Sequence, residues 1–303
     1  MKKTVYFLAL ALFAVMLLAS CGKSEFTYEK VENGIAITGY NGESTDVVIP
    51  EEIGGKTVVA IGEAAFDATG ITSVVIPDSV RIIEKYAFRR CGKLTKIELP
   101  DGLKRVEEGT FTFCSGLIEI GLPDGLEYIG VNAFAGTLLA NVVLPDSVKT
   151  VGDYVFYDCT HLTSFKAGSG LEELGEYVFS GCISLKDIEL NEGLKTIGKN
   201  GFDGCSSMTE IDIPSTVETL AMGLFSHSAI KDITIPSGVK KISYYVFEGC
   251  KSLNNVYISP GVEEMDSDIF NECKGFVICG VRDSQAEIYA DTYGFKFQEY
   301  NFE

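Results

Sequence analysis

The chain has 303 residues, 46% of them hydrophobic and 22% charged, so it can bury a core and wholesale disorder is excluded. Its net charge of -18, without any basic run, argues against nucleic-acid binding, because a phosphate backbone is held by a basic stripe. Two His, no Trp and 32 Gly point toward a scaffold rather than an enzyme.

Residues 1–20 read as a secretory signal. Met1-Lys2-Lys3 is a basic start, Thr4 to Leu18 is apolar, and Ala19 and Ser20 are small. The apolar run is short for a spanning helix, and Gly22, Lys23, Ser24 and Glu25 follow at once. Leu18-Ala19-Ser20-Cys21 resembles the lipobox of bacterial lipoproteins, in which the Cys becomes the lipid-carrying N-terminus. That resemblance implies a lipidated Cys21 and attachment to a membrane. Gly22 does not resemble an inner-membrane retention signal, so an outer-membrane lipoprotein is expected, with display at the cell surface. Cleavage removes Lys2 and Lys3 and no acid, and moves the charge from -18 to -20.

Residues 21–54 follow as an anchor, a linker and an N-terminal β cap. Tyr28 to Val31 and Gly34 to Tyr40 have the pattern of a hairpin.

From residue 55 to 275 the chain repeats. Phe recurs at 66, 88, 111, 134, 156, 179, 202, 225, 247 and 270, always 22 or 23 residues apart. A second ruler holds Pro77, Pro100, Pro123, Pro145, Pro214, Pro236 and Pro260, with Gly168 and Asn191 filling the gaps. One unit runs from Leu94 through Ile97, Leu99, Pro100, Gly102, Leu103 and Val106 to Phe111 and Cys114. Ile97 and Leu99 alternate with Lys96 and Glu98, the period of a half-buried strand. Pro100-Asp101-Gly102 predicts a turn in which Gly accepts positive φ. Glu107 to Cys114 predicts a tight turn or one helical turn that drops Phe111 inward. A unit this short cannot cover its own apolar face, whereas stacked units cover one another. The expected fold is a leucine-rich-repeat solenoid of about ten repeats, with a parallel β-sheet on one face and short turns on the other.

Residues 276–303 break the ruler and form a C-terminal cap. Ser284 to Tyr293 reads as a short helix with Ala286, Ile288, Tyr289 and Ala290 partly inward, followed by a strand through Phe295 and Phe297. The L-x-x-I-x-L-P strand, the G-L-x-x-I-G that follows it and the A-F-x-x-C turn resemble the leucine-rich repeats of the bacterial surface antigen A-like (BspA-like) family. The resemblance implies a non-catalytic binding scaffold that mediates protein–protein interaction or adhesion to host or neighbouring-cell proteins.

Cys91, Cys114, Cys159, Cys182, Cys205, Cys250 and Cys273 each lie three residues after a ruler Phe, and Thr69, Thr137 and Ser228 fill the same slot elsewhere. Equivalent side chains in stacked units point the same way, whereas a disulfide needs converging Cβ atoms. Buried free thiols are expected. Export favours disulfides, and Cys273 with Cys279 is the pair most open to one.

No catalytic set or metal site emerges, and no cofactor is implied. Gly193 to Lys199 nearly spells a phosphate-binding loop, but Asn200 stands where Ser or Thr is needed. His161 and His227 lie three units apart and cannot converge.

The outward strand positions form two columns, Ser73, Lys96, Glu119, Asn141, Ser164, Asp187, Glu210, Asp232, Asn255 and Val75, Glu98, Gly121, Val143, Lys166, Glu189, Asp212, Thr234, Tyr257. Asp187, Glu189, Glu210, Asp212 and Asp232 therefore gather on three rungs, and Tyr257 is the aromatic of the face. Like charges opposite one another destabilise a sheet. The cluster is a solvated face, a site for a basic protein segment, or a Ca²⁺ site. The alternative function is glycan capture by an accessory protein at the surface or in the periplasm.

Overall fold

The computed structural model describes residues 24–302; the signal segment and Cys21 lie outside the described residues. The chain winds as a solenoid, and each turn contributes to three backbone ladders. The first is built from short parallel strands such as Lys96–Glu98, Glu119–Gly121, Asn141–Val143, Ser164–Lys166 and Asp187–Glu189. Equivalent residues face each other, with Asn141 opposite Ser164, Ser164 opposite Asp187 and Asp232 opposite Asn255. The outward columns expected from the sequence are thus in register. The second ladder uses two-residue strands, from Ile82–Ile83 through Arg105–Val106 to Glu264–Met265. Here Leu103 and Val106 turn inward and are buried.

The third ladder has no strand character. Tyr86, Phe88 and Arg90 donate their backbone N–H groups to the carbonyls of Glu108, Thr110 and Thr112 one turn along, at 3.0, 3.0 and 2.8 Å. The pattern repeats turn after turn, as far as Phe247 with Ile269 and Gly249 with Asn271. No helical turn forms at Glu107 to Cys114; the segment is a run of tight turns, with Phe111 fully buried.

The ruler Phe residues form one ring stack through the core. Consecutive centroids from Phe66 to Phe270 lie 5.1 to 5.8 Å apart, with planes within 21° of parallel. Each ring excludes water on both faces, and aromatic pairs add about 0.5–1.5 kcal/mol beyond burial. The ends of the stack are closed by the two caps. The hairpin Phe26–Val31 with Gly34–Tyr40 puts Tyr40 on Phe66 at 5.6 Å, and Phe26 on Tyr40 at 5.4 Å. At the other end Phe276, Tyr289 and Phe295 surround Phe270. Tyr289 comes from the helix Gln285–Tyr293, which stops at Gly294 in the left-handed region with φ 72°. Ala286, Tyr289 and Ala290 are buried as expected, but Ile288 is 51% exposed and points away from the cap.

Two sequence expectations change. Gly102 is not among the residues with positive φ. Its column is small because adjacent turns approach closely there: a Cβ on Gly238 would sit 1.7 Å from the Ser215 carbonyl oxygen. The last member of the Pro ruler also shifts. Val239 donates to the Pro236 carbonyl and Val262 to that of Ser259, so Ser259 rather than Pro260 occupies the column.

The first two ladders are interrupted, and the third is not. The segment around Glu210 and Asp212 has no strand assignment, and neither Asp187–Glu189 nor Asp232–Ile235 pairs with it. At the same level the second ladder stops between Thr196–Ile197 and Thr219–Leu220. A cleft of about 460 Å³ opens there, lined by Ile197, Gly198, Thr219 and Ala221 among others. The turn ladder crosses the gap intact: Asn200, Phe202 and Gly204 donate to Met222, Leu224 and Ser226 at 2.9, 2.9 and 2.8 Å.

Candidate functional site

The strand face carries the acidic cluster. Asp187, Glu189, Glu210, Asp212 and Asp232 are all exposed. Glu189 pairs with Lys166 across the ladder, Lys186 reaches Asp187 at 3.7 Å, and Asn255 donates to Asp232 at 2.7 Å. Glu210 and Asp212 form no ion pair among the described residues. The contrast with neighbouring rungs is electrostatic. Lys96 bridges to Glu119 at 2.6 Å and Lys166 to Glu189, and those rungs are hydrogen-bonded strands. Acid faces acid at Glu210 and Asp212, and pairing is lost on both sides. Two other gaps, before Lys96–Glu98 and before Asn141–Val143, occur without facing acids, so a gap does not require them. Tyr257 is half-buried against Tyr300 of the C-terminal cap, with ring centroids 4.8 Å apart. Val48 and Val75 lie opposite each other and are 61% and 58% exposed, an apolar spot at the N-terminal end that the column of Val75 and Val143 alone did not show.

The cysteine column is a thiol ladder. Seven of the ten ruler Phe carbonyls accept from the thiol one turn on: Cys91 to Phe66, Cys114 to Phe88, Cys159 to Phe134, Cys182 to Phe156, Cys205 to Phe179, Cys250 to Phe225 and Cys273 to Phe247, all at 2.9 to 3.3 Å. The hydroxyls of Thr69 and Thr137 donate to Phe66 and Phe134 in the same slot. All eight cysteines from Cys91 to Cys279 are free and buried, including Cys273 and Cys279. Burial pushes the Cys159 thiol up to about 11 and that of Cys273 to about 12. The Cys91 thiol is the exception, held down by its hydrogen bond with Cys114; the thiols held protonated are poor nucleophiles and metal ligands and serve packing.

The motif at Gly193 to Lys199 forms a turn and the strand Thr196–Ile197, and Lys199 pairs with Glu176 at 2.9 Å. His161 is exposed, and His227 contacts Asp203 at 2.9 Å. Among the described residues, no group of three or more His, Cys, Asp or Glu is placed to hold a metal ion. No helix among them is long and apolar enough to cross a membrane.

The turn face holds what the sequence reading missed. The residues two before and two after every ruler Phe have positive φ, between 53° and 78°. The first column runs Ala64, Tyr86, Gly109, Asn132, Tyr154, Tyr177, Asn200, Gly223, Tyr245 and Asp268; the second includes Arg90, Phe113 and His227. The ruler supplied the signal, since counting two places from each Phe finds them. Several side chains lie flat over the next turn: a Cβ on Gly109 would meet the Tyr86 ring at 2.4 Å, and one on Gly136 the Phe113 ring at 2.6 Å. Tyr154 stacks on Tyr177, with centroids 4.8 Å apart and planes 4° from parallel, and Tyr157 meets Tyr154 edge-on. Tyr86, Phe113, Tyr154, Tyr157 and Tyr177 line a groove of about 680 Å³ with Arg89, Arg90, Asn132, Ser180 and Asp203. Asp67 accepts paired hydrogen bonds from both Arg89 and Arg90, at 2.7 to 3.2 Å. These bonds hold its carboxyl down at about 2.

The profile of the BspA type Leucine rich repeat region matches residues 40–163 and 149–277, in six copies. A leucine-rich repeat protein from Bacteroides ovatus has a similar structure, with a TM-score of 0.77 and 31% identity over 84% of this chain and 70% of the other. The T. pallidum leucine-rich repeat protein TpLRR is similar over 62% of this chain and 89% of its own, at 37% identity and a TM-score of 0.59. No curated protein matches the chain at a significant level. The repeat unit, its in-register stacking and the profile match agree, and the chain belongs to the BspA-type leucine-rich repeat family.

Proposed function

We propose that the mature protein is a lipid-anchored scaffold at the outer surface of the cell, holding a protein partner on its strand face and performing no catalysis. The family supports a protein-interaction role. The observation that carries the reading is the strand face itself. Its outward residues are exposed or half-exposed and in register wherever the rungs pair, while the inward residues between them join the Phe stack in the core. A surface of this kind presents a long row of side chains without disturbing the fold.

The partner's chemistry is read from the cluster of Asp187, Glu189, Glu210, Asp212 and Asp232. A basic protein segment, on a host or neighbouring-cell protein, neutralises the cluster, above all Glu210 and Asp212, which form no ion pair among the described residues. Cys21 is the anchor in this reading, with acyl chains contributing about 0.8 kcal/mol per buried CH₂.

Replacing Asp187, Glu189, Glu210 and Asp212 by Asn or Gln should weaken binding to a basic partner at low salt. Unchanged binding would reject the site. Protease added to intact cells should shave the protein, and full protection would reject outward display. Cys21→Ala should move it from the membrane fraction to the soluble one.

A further inference from the structure

We infer that the turn face carries a second, independent site: the groove between Tyr86 and Tyr177 binds an extended, neutral oligosaccharide. The first argument is conformational. The left-handed columns are occupied at lowest cost by Gly, Asn or Asp, and a bulky L-residue there costs about 1–2 kcal/mol. This chain nevertheless places five Tyr and Phe residues in those columns, and four of them, Tyr86, Phe113, Tyr154 and Tyr177, line the groove while Tyr245 does not. Strained positions held by bulky side chains concentrate where the side chain has a task.

The second argument is placement. These four rings and Tyr157 converge on one groove of about 680 Å³. Phe113 is 58% exposed and Tyr157 36%, and neither belongs to the buried ring stack. The groove is long and open. It follows the solenoid axis, along which rungs succeed one another at about 4.8 Å, a repeat comparable with one sugar ring of an extended glycan.

The third argument is chemistry. A pyranose offers a C–H face that stacks on an aromatic ring and a rim of hydroxyls that need hydrogen-bond partners. The groove supplies both, the rings from the left-handed columns and polar groups from Asn132, Ser180 and Asp203. Its cations are already paired, because Arg89 and Arg90 both donate to Asp67. The chain as a whole carries -18 and repels polyanions. Neutral sugars are therefore the fitting class, in preference to acidic ones.

The same columns make a clean test. Tyr154→Asn with Tyr177→Asn removes two stacking rings and leaves residues that accept the left-handed region. The full chain, kept in solution by Cys21→Ser, is titrated calorimetrically with neutral hexose and pentose oligosaccharides, and separately with a polyproline peptide. One oligosaccharide series should bind, and the double variant should lose roughly tenfold or more in affinity. The double variant should melt no lower than the parent, and Tyr245→Asn, outside the groove, should leave affinity unchanged. If the double variant melts early, Phe113→Gly reads the same site. Failure of every oligosaccharide, binding that survives these substitutions, or capture of the peptide alone would each overturn the inference. Because no strand-face residue is altered, these results are separable from those of the acidic-cluster variants.

Discussion

The strand face and the turn face answer the same repeat in opposite ways. On the strand face the backbone is extended and the side chains alternate, so outward positions vary in charge at a cost of only a few tenths to about 1 kcal/mol where like charges face each other. On the turn face the backbone is forced into the left-handed region twice per unit, at the residues flanking each ruler Phe. The strand ladder is interrupted at Glu210 and Asp212, whereas the turn ladder runs across the same gap without losing a bond. Continuity along the solenoid therefore rests on the turns, which fix the Phe stack, and variation rests on the strands. A repeat fold can thus carry a demanding core and a permissive surface on the same units.

Substitutions can break or sharpen that contrast. The largest effect is expected in the ring stack. Phe156→Ala should cost about 3–5 kcal/mol in denaturant unfolding, because its cavity lies between two stacked rings, whereas Glu119→Ala on the strand face should stay within about 0.5 kcal/mol. Next is the left-handed column. Tyr245→Val should destabilise by about 2 kcal/mol and Tyr245→Gly should not, since a β-branched residue resists positive φ and Gly accepts it. Equal losses for the two would remove the conformational argument.

The thiol column comes third. Cys205→Ala should cost about 1–2 kcal/mol by emptying a buried slot and leaving the Phe179 carbonyl without its thiol donor. Thiol titration of the denatured, unreduced protein should count the eight cysteines from Cys91 to Cys279 as free, and a count of zero would contradict the ladder.

Asp67 gives a smaller and pH-dependent effect. Its carboxyl is depressed to about 2 by the hydrogen bonds from Arg89 and then Arg90. The stability it contributes is present above the usual carboxylate range and is lost as pH falls through about 2. Asp67→Asn should cost on the order of 1 kcal/mol at neutral pH and flatten the acid limb of the stability curve. The smallest effect has the opposite sign. Glu210→Gln with Asp212→Asn should stabilise by a few tenths to about 1 kcal/mol, more at low salt, by relieving acid-on-acid contact.

How far the sequence could be read follows from the same contrast. The Phe ruler and the alternation at Ile97 and Leu99 made the solenoid, the strand columns and the hairpin cap legible, because a strict period admits one stacking. The acidic cluster was legible as neighbours, since register is inherited from the repeat. The gap at Glu210 and Asp212 was not, because that unit keeps the same alternation as its paired neighbours, with Ile211 and Ile213 inward and alternating with the two acids. The left-handed columns were partly marked by Gly109, Gly136, Gly181, Gly204, Gly223 and Gly249, and masked at the other positions by Tyr, Arg and Phe, which do not announce positive φ as Gly does. Gly102 misled in the reverse direction, since it has no positive φ and its column is small where neighbouring turns approach closely, as at Gly238. Ser259 keeps the usual spacing of the column, and Pro260, one residue beyond it, concealed that.

The central claim is that the strand face meets the protein partner. Photo-crosslinking residues placed singly at Glu210 and Thr234 on that face, and at Tyr245 on the turn face, test it on living cells. The account predicts a discrete protein adduct from the first two positions and none from Tyr245. An adduct confined to Tyr245 would contradict it.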